Sequence, residues 1–256
     1  MSAENQGSTD IPVCANPHPP QKYGTDKNVC ATLSHLTPLG PVLLLDTAST
    51  RVQVALLRPN HPAPALWETC DDEAGVALFT CAEKLLARAT LTIADIAAFA
   101  FCDGPGSVLG IRTAAVALRA WRVTRERPIY SYCSLALVAR HLLATERENA
   151  HNLSLIADAR RDTWHHVAIG ADGDISALHR VPAAQLAGAL AMPEHFRNWT
   201  PLPPNTRIVP YTLETMLSLP ALADAPLFAP APEPDAFLHE EPIYQTWTPQ
   251  VHQASA

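Results

Sequence analysis

Apolar and polar positions divide the chain into an unpatterned start, a strongly patterned middle and a broken end. Residues 1–40 are polar, dotted with proline and without period, which predicts a flexible tail. From Pro41 the pattern changes abruptly. The apolar run Val42 to Leu45 ends in Asp46-Thr47-Ala48-Ser49-Thr50, after which Val52, Val54 and Leu56 alternate with other residues. That predicts a buried strand, a tight polar turn and a return strand, with a third strand expected over Ala65 to Thr69. Asp71, Asp72 and Glu73 suit the N-cap and first turn of a helix that places Val76, Phe79, Ala82, Leu85 and Leu86 on one stripe. Ala97 to Cys102 reads as a strand running into Asp103-Gly104-Pro105-Gly106-Ser107. A helix over 107–123 follows, with Ser107 as its N-cap. Pro128 opens another short strand, and Leu135 to Leu143 another helix.

The first motif then returns. Leu153 to Ala157 is apolar, ends in Asp158-Ala159-Arg160-Arg161-Asp162, and is followed by alternation from Trp164 to Ile169. This echo of the Asp46 hairpin predicts two related lobes, over 41–145 and 146–256. From Pro182 onward come thirteen of the 24 prolines, so helices fit only between breaks, at Ala183 to Ala191 and Thr212 to Leu219. The second lobe should be small and rich in loops.

Composition narrows the class. At 256 residues, 48% hydrophobic and 17% charged, the chain can bury a large core, which excludes global disorder. A net charge of -7 argues against a large nucleic-acid surface while leaving room for a local basic patch. The six cysteines form no C-x-x-C pair and several sit in apolar runs, which suggests free thiols in a reducing compartment. No apolar stretch approaches the roughly 18 residues of a membrane span, so a cytoplasmic protein without membrane contact is expected.

Candidate chemistry is sparse. A strand, a G-P-G-S turn and a helix together present backbone N–H groups to an anion, and Gly104, Gly106 and Gly110 are three of only ten glycines. No Lys follows as in a P-loop, so a tight structural turn explains the glycines equally well. Asp46, beside Thr47, Ser49 and Thr50, suits either a magnesium-bound phosphate or a turn cap. His165 and His166 fall on opposite faces of a strand and cannot share a metal from there, so no metal site is expected. Ser107 lacks the G-x-S-x-G setting of a nucleophile, and no catalytic set stands out. Arg112, Arg119, Arg122, Arg125 and Arg127 cluster on and just after one helix, as a solvated face or a contact for RNA phosphates or an acidic partner.

In combination these segments resemble the TsaB family. Leu43-Leu44-Leu45-Asp46-Thr47-Ala48, Ile93-Ala94-Asp95-Ile96, Gly104-Pro105-Gly106-Ser107 with Gly110-Ile111-Arg112, Ser134-Leu135, Ile156-Ala157-Asp158-Ala159-Arg160-Arg161 and the late Glu241-Pro242-Ile243-Tyr244 occur in the family's order. The resemblance implies an actin-like α/β fold of two related lobes, the second one small and Pro-rich. It also implies a non-catalytic subunit of the machinery that adds threonylcarbamoyl to the adenosine beside the tRNA anticodon. Such a subunit pairs with a TsaD-like transferase through helices of the first lobe, is joined by a TsaE-like ATPase, forms a homodimer when alone and meets tRNA indirectly. Carried onto this chain, the partner interface is Val76, Phe79, Ser107, Val108, Leu109, Gly110, Arg112 and Arg119. Asp46, Thr47, Ser49, Gly104, Gly106 and Ser107 would be vestiges of a nucleotide site. No resident cofactor follows, with ATP or ADP at a subunit interface left open. The chain departs from the family at Ser107-Val108-Leu109-Gly110, where Ser-Phe-Thr-Gly is usual. Two other readings are an actin-like phosphotransferase or ATPase using Asp46 and the 104–110 loop, and a diverged homodimeric interaction module. Against the former, Thr47 stands where that superfamily's first phosphate loop usually has Gly.

Overall fold

The computed structural model describes residues 32–36, 39–59, 61 and 64–237. The expected tail ends in structure: α1 (Leu33–Leu36) buries Leu33 and Leu36, and Ser34 Oγ donates to Asp224 Oδ1 at 2.8 Å. Ordered packing therefore starts before Pro41. Two apolar side chains a turn apart are enough to dock so short a helix, a signal too brief to show as a period.

The next elements fall in the expected order. β1 (Val42–Asp46), β2 (Val52–Leu57) and β3 (Ala65–Cys70) form an antiparallel meander, and α2 (Ala74–Ala89) crosses its face. β4 (Ala98–Gly104) pairs parallel with β1, α3 (Val108–Val123) packs on both, and β5 (Ile129–Cys133) pairs parallel with β4. β1, β2 and β4 are buried along their whole length, as the unbroken apolar runs require of a sheet covered on both faces. α4 (Ser134–Glu146) then packs against strands of both sheets.

The second sheet repeats the first. β6 (Leu153–Asp158), β7 (Thr163–Ala168) and β8 (His179–Pro182) form a meander, and β9 (Ala189–Pro193) and β10 (Arg207–Val209) add in parallel. Its order, β8-β7-β6-β9-β10, matches β3-β2-β1-β4-β5 of the first sheet. The echo of Asp46 in Asp158 is thus a structural repeat, each aspartate ending the central strand of its sheet. After α5 (Leu213–Leu217) and α6 (Pro220–Ala223), β11 (Ala229–Pro230) returns to the first sheet and pairs antiparallel with β5. That sheet draws its last strand from beyond residue 146.

Three local expectations are corrected. The helix expected over 183–191 is a single 3-10 turn at Ala183–Gln185 followed by β9. Alanine's helix propensity is a weak prior, and here it loses to Gly188 at φ 80°, to ladder bonds with β6 and to burial of Leu190, Ala191 and Met192. The acids before α2 do not cap it. Glu73 is the N-cap residue without a side-chain bond, the first turn holds no acid, and Asp71 pairs with Arg51 at 2.9 Å. Finally, the buried stripe of α2 is Ala77, Leu78, Cys81, Ala82 and Leu85, so Val76 and Phe79 point away from the core.

Candidate functional site

A nucleotide in an actin-like fold would need the β1–β2 turn and the 104–110 loop to stand apart and face a phosphate. Here they are packed on each other. Asp46 is fully buried, and its Oδ2 accepts the hydroxyls of Tyr132 at 2.6 Å and Tyr211 at 2.5 Å, while Oδ1 accepts the Ala48 N–H at 3.0 Å. Burial pushes the Asp46 carboxyl above its ordinary range, against the pull of those donors, and pushes both tyrosine hydroxyls well up. Ser49 Oγ donates to Arg51 O at 2.7 Å, and Thr47 Oγ1 is buried without a hydrogen-bond partner.

The glycine loop closes from the other side. Ser107 caps α3 through its Oγ, which accepts from the Gly110 N–H at 3.3 Å, while its own N–H donates to Ala48 O at 2.7 Å. A Cβ on Gly106 would stand 2.3 Å from Ala48 O, and one on Gly110 would stand 2.3 Å from Thr47 O. Both glycines permit a close backbone approach between loop and turn. The donor that would greet an anion is spent on a carbonyl, and the carboxylate that would hold a cation is tied to two tyrosines. Where Gly106 and Ser107 meet Ala157, Asp158 and Phe196, the remaining cavity is about 10 Å³, room for one water at most. These residues do not fit a nucleotide phosphate.

Asp158 does different work at the matching place of the second sheet. Its Oδ1 accepts the Arg160 N–H at 2.5 Å, and its Oδ2 accepts the N–H groups of Trp199 at 2.7 Å and Thr200 at 2.6 Å. Burial opposes ionisation, but the backbone donors outweigh it and hold the carboxyl below its usual range. The turn it organises is strained: Arg160, Arg161 and Asp162 all have positive φ, at 64°, 52° and 53°, which costs on the order of 1 kcal/mol per residue. The Arg160 guanidinium lies 4.2 Å from the ring of Trp199, a side chain 53% exposed.

The third feature is the outer face of α2 and α3. Leu109, Val116 and Val123 repeat every seven residues along α3, and are 75%, 60% and 84% exposed. Val108 is exposed beside them, as are Val76 and Phe79 on α2, whose Phe79 ring meets Trp121 of α3 edge-on at 5.9 Å. Of the expected interface residues, Gly110 is instead buried in the loop contact, and Ser107 is half-buried at the cap.

Arg112, Arg119 and Arg125 keep exposed side chains, and the arginines of this cluster also bond within the chain. Arg119 donates to Pro234 O and Arg122 to Pro232 O, and Arg112 and Arg119 lie 3.6 and 3.8 Å from Asp235. Arg125 and Arg127 donate to Ala94 O and Ile93 O at 3.2 and 2.6 Å. All five fasten other segments of the chain to α3 and its C-terminal end. The segment clasped by Arg112, Arg119 and Arg122, residues 231–237 after β11, was not foreseeable as a contact, because proline runs carry no periodic signal. Tyr211 and Tyr132, the partners of Asp46, also escape sequence reading, since each is an isolated polar tip far along the chain. Glu241-Pro242-Ile243-Tyr244 lies outside the described residues.

With two sheets of one strand order facing each other across Asp46 and Asp158, the molecule is a duplicated α/β chain of actin-like fold. Residues 69–179 match the family TsaD: tRNA N6-adenosine threonylcarbamoyltransferase. Among solved structures the chain is similar to YeaZ from Pseudomonas aeruginosa, at 23% identity over 70% of this chain and 90% of that one, with a TM-score of 0.50. A second, described as an uncharacterized protein with similarity to peptidase YEAZ from Pseudomonas aeruginosa, matches at 23% identity and a TM-score of 0.50, over 70% of this chain and 89% of that one. No curated protein matches the chain. At this level of identity the likeness to the two solved structures shows a shared fold.

Proposed function

We propose that the protein is a non-catalytic subunit in the pathway that places threonylcarbamoyl on the adenosine beside the tRNA anticodon, acting in the cytoplasm by docking a TsaD-like transferase on α2 and α3. The observation that carries this reading is the ridge of Leu109, Val116 and Val123, flanked by Val76 and Phe79 and left without a cover among the described residues. Monomeric proteins rarely leave a contiguous apolar face of this kind exposed, and helix faces of this type bury well against a second helix pair. The interlobe groups support the non-catalytic half of the reading, because Asp46 is tied to Tyr132 and Tyr211 and the Ser107 N–H to the Ala48 carbonyl. No helix among the described residues is long and apolar enough to cross a membrane. In the absence of the transferase the same ridge pairs two copies of the chain, and a TsaE-like ATPase joins the heterodimer.

Co-expression with the cognate TsaD-like protein tests this. The two should co-purify as a stoichiometric complex, and Leu109→Asp with Val116→Asp should weaken it about a hundredfold by removing two central apolar anchors, without changing the thermal midpoint of the free subunit. Two folded proteins that fail to associate would overturn the proposal.

A further inference from the structure

The arginines that looked available for RNA on α3 are fastened to the chain itself, yet a second basic group stands open in the second lobe. Arg160, Arg161 and Arg197 are exposed, and among the described residues none of the three makes an ion pair. Asp158 and Asp162 lie in the same turn, so the three arginines leave only a small local excess of positive charge in a chain of net charge -7. Trp199, a large aromatic ring with more than half its surface in solvent, stands two residues from Arg197 and against Arg160, whose neighbour in the turn is Arg161. One face of that ring carries the Arg160 guanidinium at 4.2 Å. Arg197 and Trp199 border the same small cavity beside Asp158.

Two separate segments build this arrangement, and one carboxylate holds both. Asp158 fixes the β6–β7 turn through the Arg160 N–H and the β9–β10 crossover through the Trp199 and Thr200 N–H groups. From the far side Arg180 on β8 braces the turn, donating to Thr163 Oγ1 at 2.6 Å and to Ala159 O at 3.2 Å. The three consecutive left-handed residues are thereby kept in a conformation they would otherwise leave. Such effort to hold an exposed Trp under an Arg has no use in core packing. An aromatic ring beside arginines fits an unstacked base with its flanking phosphates, because every base offers a π-face and every phosphate a negative charge.

We infer that Trp199, with Arg160, Arg161 and Arg197, forms a platform for single-stranded RNA. This deepens the proposed function and rests on it for the expectation that the RNA is tRNA. One base stacks on the open part of the Trp199 ring, Arg160 supports that ring, and Arg161 and Arg197 meet the phosphates on either side. Asp158 is a positioning residue that never touches the RNA.

Fluorescence anisotropy of the full chain with a short labelled single-stranded RNA, with its duplex, and with poly-glutamate decides the matter. The single strand should bind best, and Trp199→Ala should lower its affinity about tenfold while Trp199→Phe largely retains it. Arg161→Gln with Arg197→Gln should reduce the slope of log affinity against log salt by about 0.7 for each phosphate no longer neutralised. Unchanged affinity in Trp199→Ala at an unchanged thermal midpoint would overturn the inference. So would poly-glutamate or duplex bound as tightly as the single strand, the former marking an acidic protein as the true partner. Co-purification with the TsaD-like protein, measured on the same Trp199→Ala variant, separates the two readings. Retained partner with no affinity for RNA in the parent chain removes the platform alone; RNA binding with no partner removes the docking proposal alone.

Discussion

Single atoms decide what the glycine loop is for. Gly106, at φ 152°, has no space for a methyl group, since the Ala48 carbonyl already lies 2.3 Å from where a Cβ would sit. The obstacle is backbone, which cannot swing aside as a flexible side chain would. Gly106→Ala should therefore destabilise the chain by about 2–4 kcal/mol, read by urea denaturation, in the range expected when overpacking and an unfavourable φ combine. Gly188, also at positive φ but with open space around it, serves as the comparison and should lose far less on the same change. Much of this loop was legible in the sequence: the strand, the turn and the Ser107 cap all follow from apolar runs and small polar residues. What could not be read was its occupant. Whether Ser107 N–H meets a phosphate or the Ala48 carbonyl depends on how closely two loops far apart in the chain approach, and no local pattern records that distance.

At the scale of elements, strands were legible where apolar runs were pure and helices where the period was long, as in β1, β4 and α3. Reading failed where a partner elsewhere in the chain supplied the reason. β9 is a strand because β6 offers a ladder, despite an alanine-rich sequence that suits a helix. The single stripe expected on α2 is split: Ala82 and Leu85 turn inward with Ala77, Leu78 and Cys81, while Val76 and Phe79 turn outward. The 231–237 segment is the clearest case. Its carbonyls at Pro232 and Pro234 and its Asp235 are held by Arg112, Arg119 and Arg122, and the Phe237 N–H donates to Asp103 O at 2.7 Å. Arg119→Ala with Arg122→Ala removes both side-chain bonds while leaving α3 helical. Protease cleavage within 231–237 should then accelerate severalfold in the native state, with a loss of about 1–3 kcal/mol in global stability. An unchanged cleavage rate would show that β11 pairing alone suffices to hold the segment.

Across the whole molecule, the lobes are joined by polar bonds, most of them buried. The Gln53 side chain donates to Tyr211 O at 3.2 Å and accepts from the Leu213 N–H at 2.9 Å, Tyr211 reaches Asp46, and the Thr50 N–H donates to His195 O at 2.8 Å. Each sheet contributes one aspartate to this region, and the two respond oppositely to pH. Asp158, held below its usual range, stabilises the fold when ionised. That contribution is complete above the unfolded value near 3.9 and is lost as pH falls through the lower folded value. Asp46, raised by burial, works in the other sense: its share is complete below the unfolded value and is lost as pH rises through the folded one. Asp158→Asn should therefore remove the part of the stability difference between about pH 5 and pH 3 that this carboxylate supplies, flattening the urea midpoint against pH in that acid window. A profile identical to that of the parent chain would mean that the turn and crossover hold without the carboxylate. The duplicated architecture itself was legible, since the hairpin echo at Asp46 and Asp158 predicted two related lobes. The unequal duties of the two aspartates were not, because they depend on the tyrosines facing one and the backbone amides facing the other.

The return of β11 to the first sheet also bears on how the protein is made. β5 is the outer strand of a sheet whose other members lie within residues 42–133, and its edge stays bare until Ala229 and Pro230 arrive. Residues 134–228 must leave the ribosome first, which at about 5–20 residues per second takes on the order of ten seconds. Throughout that interval a nascent chain displays the unpaired edge of Ile129 to Cys133, a template for neighbouring chains on the same message. Pro230, on the edge that β11 presents, has no N–H to offer a further strand.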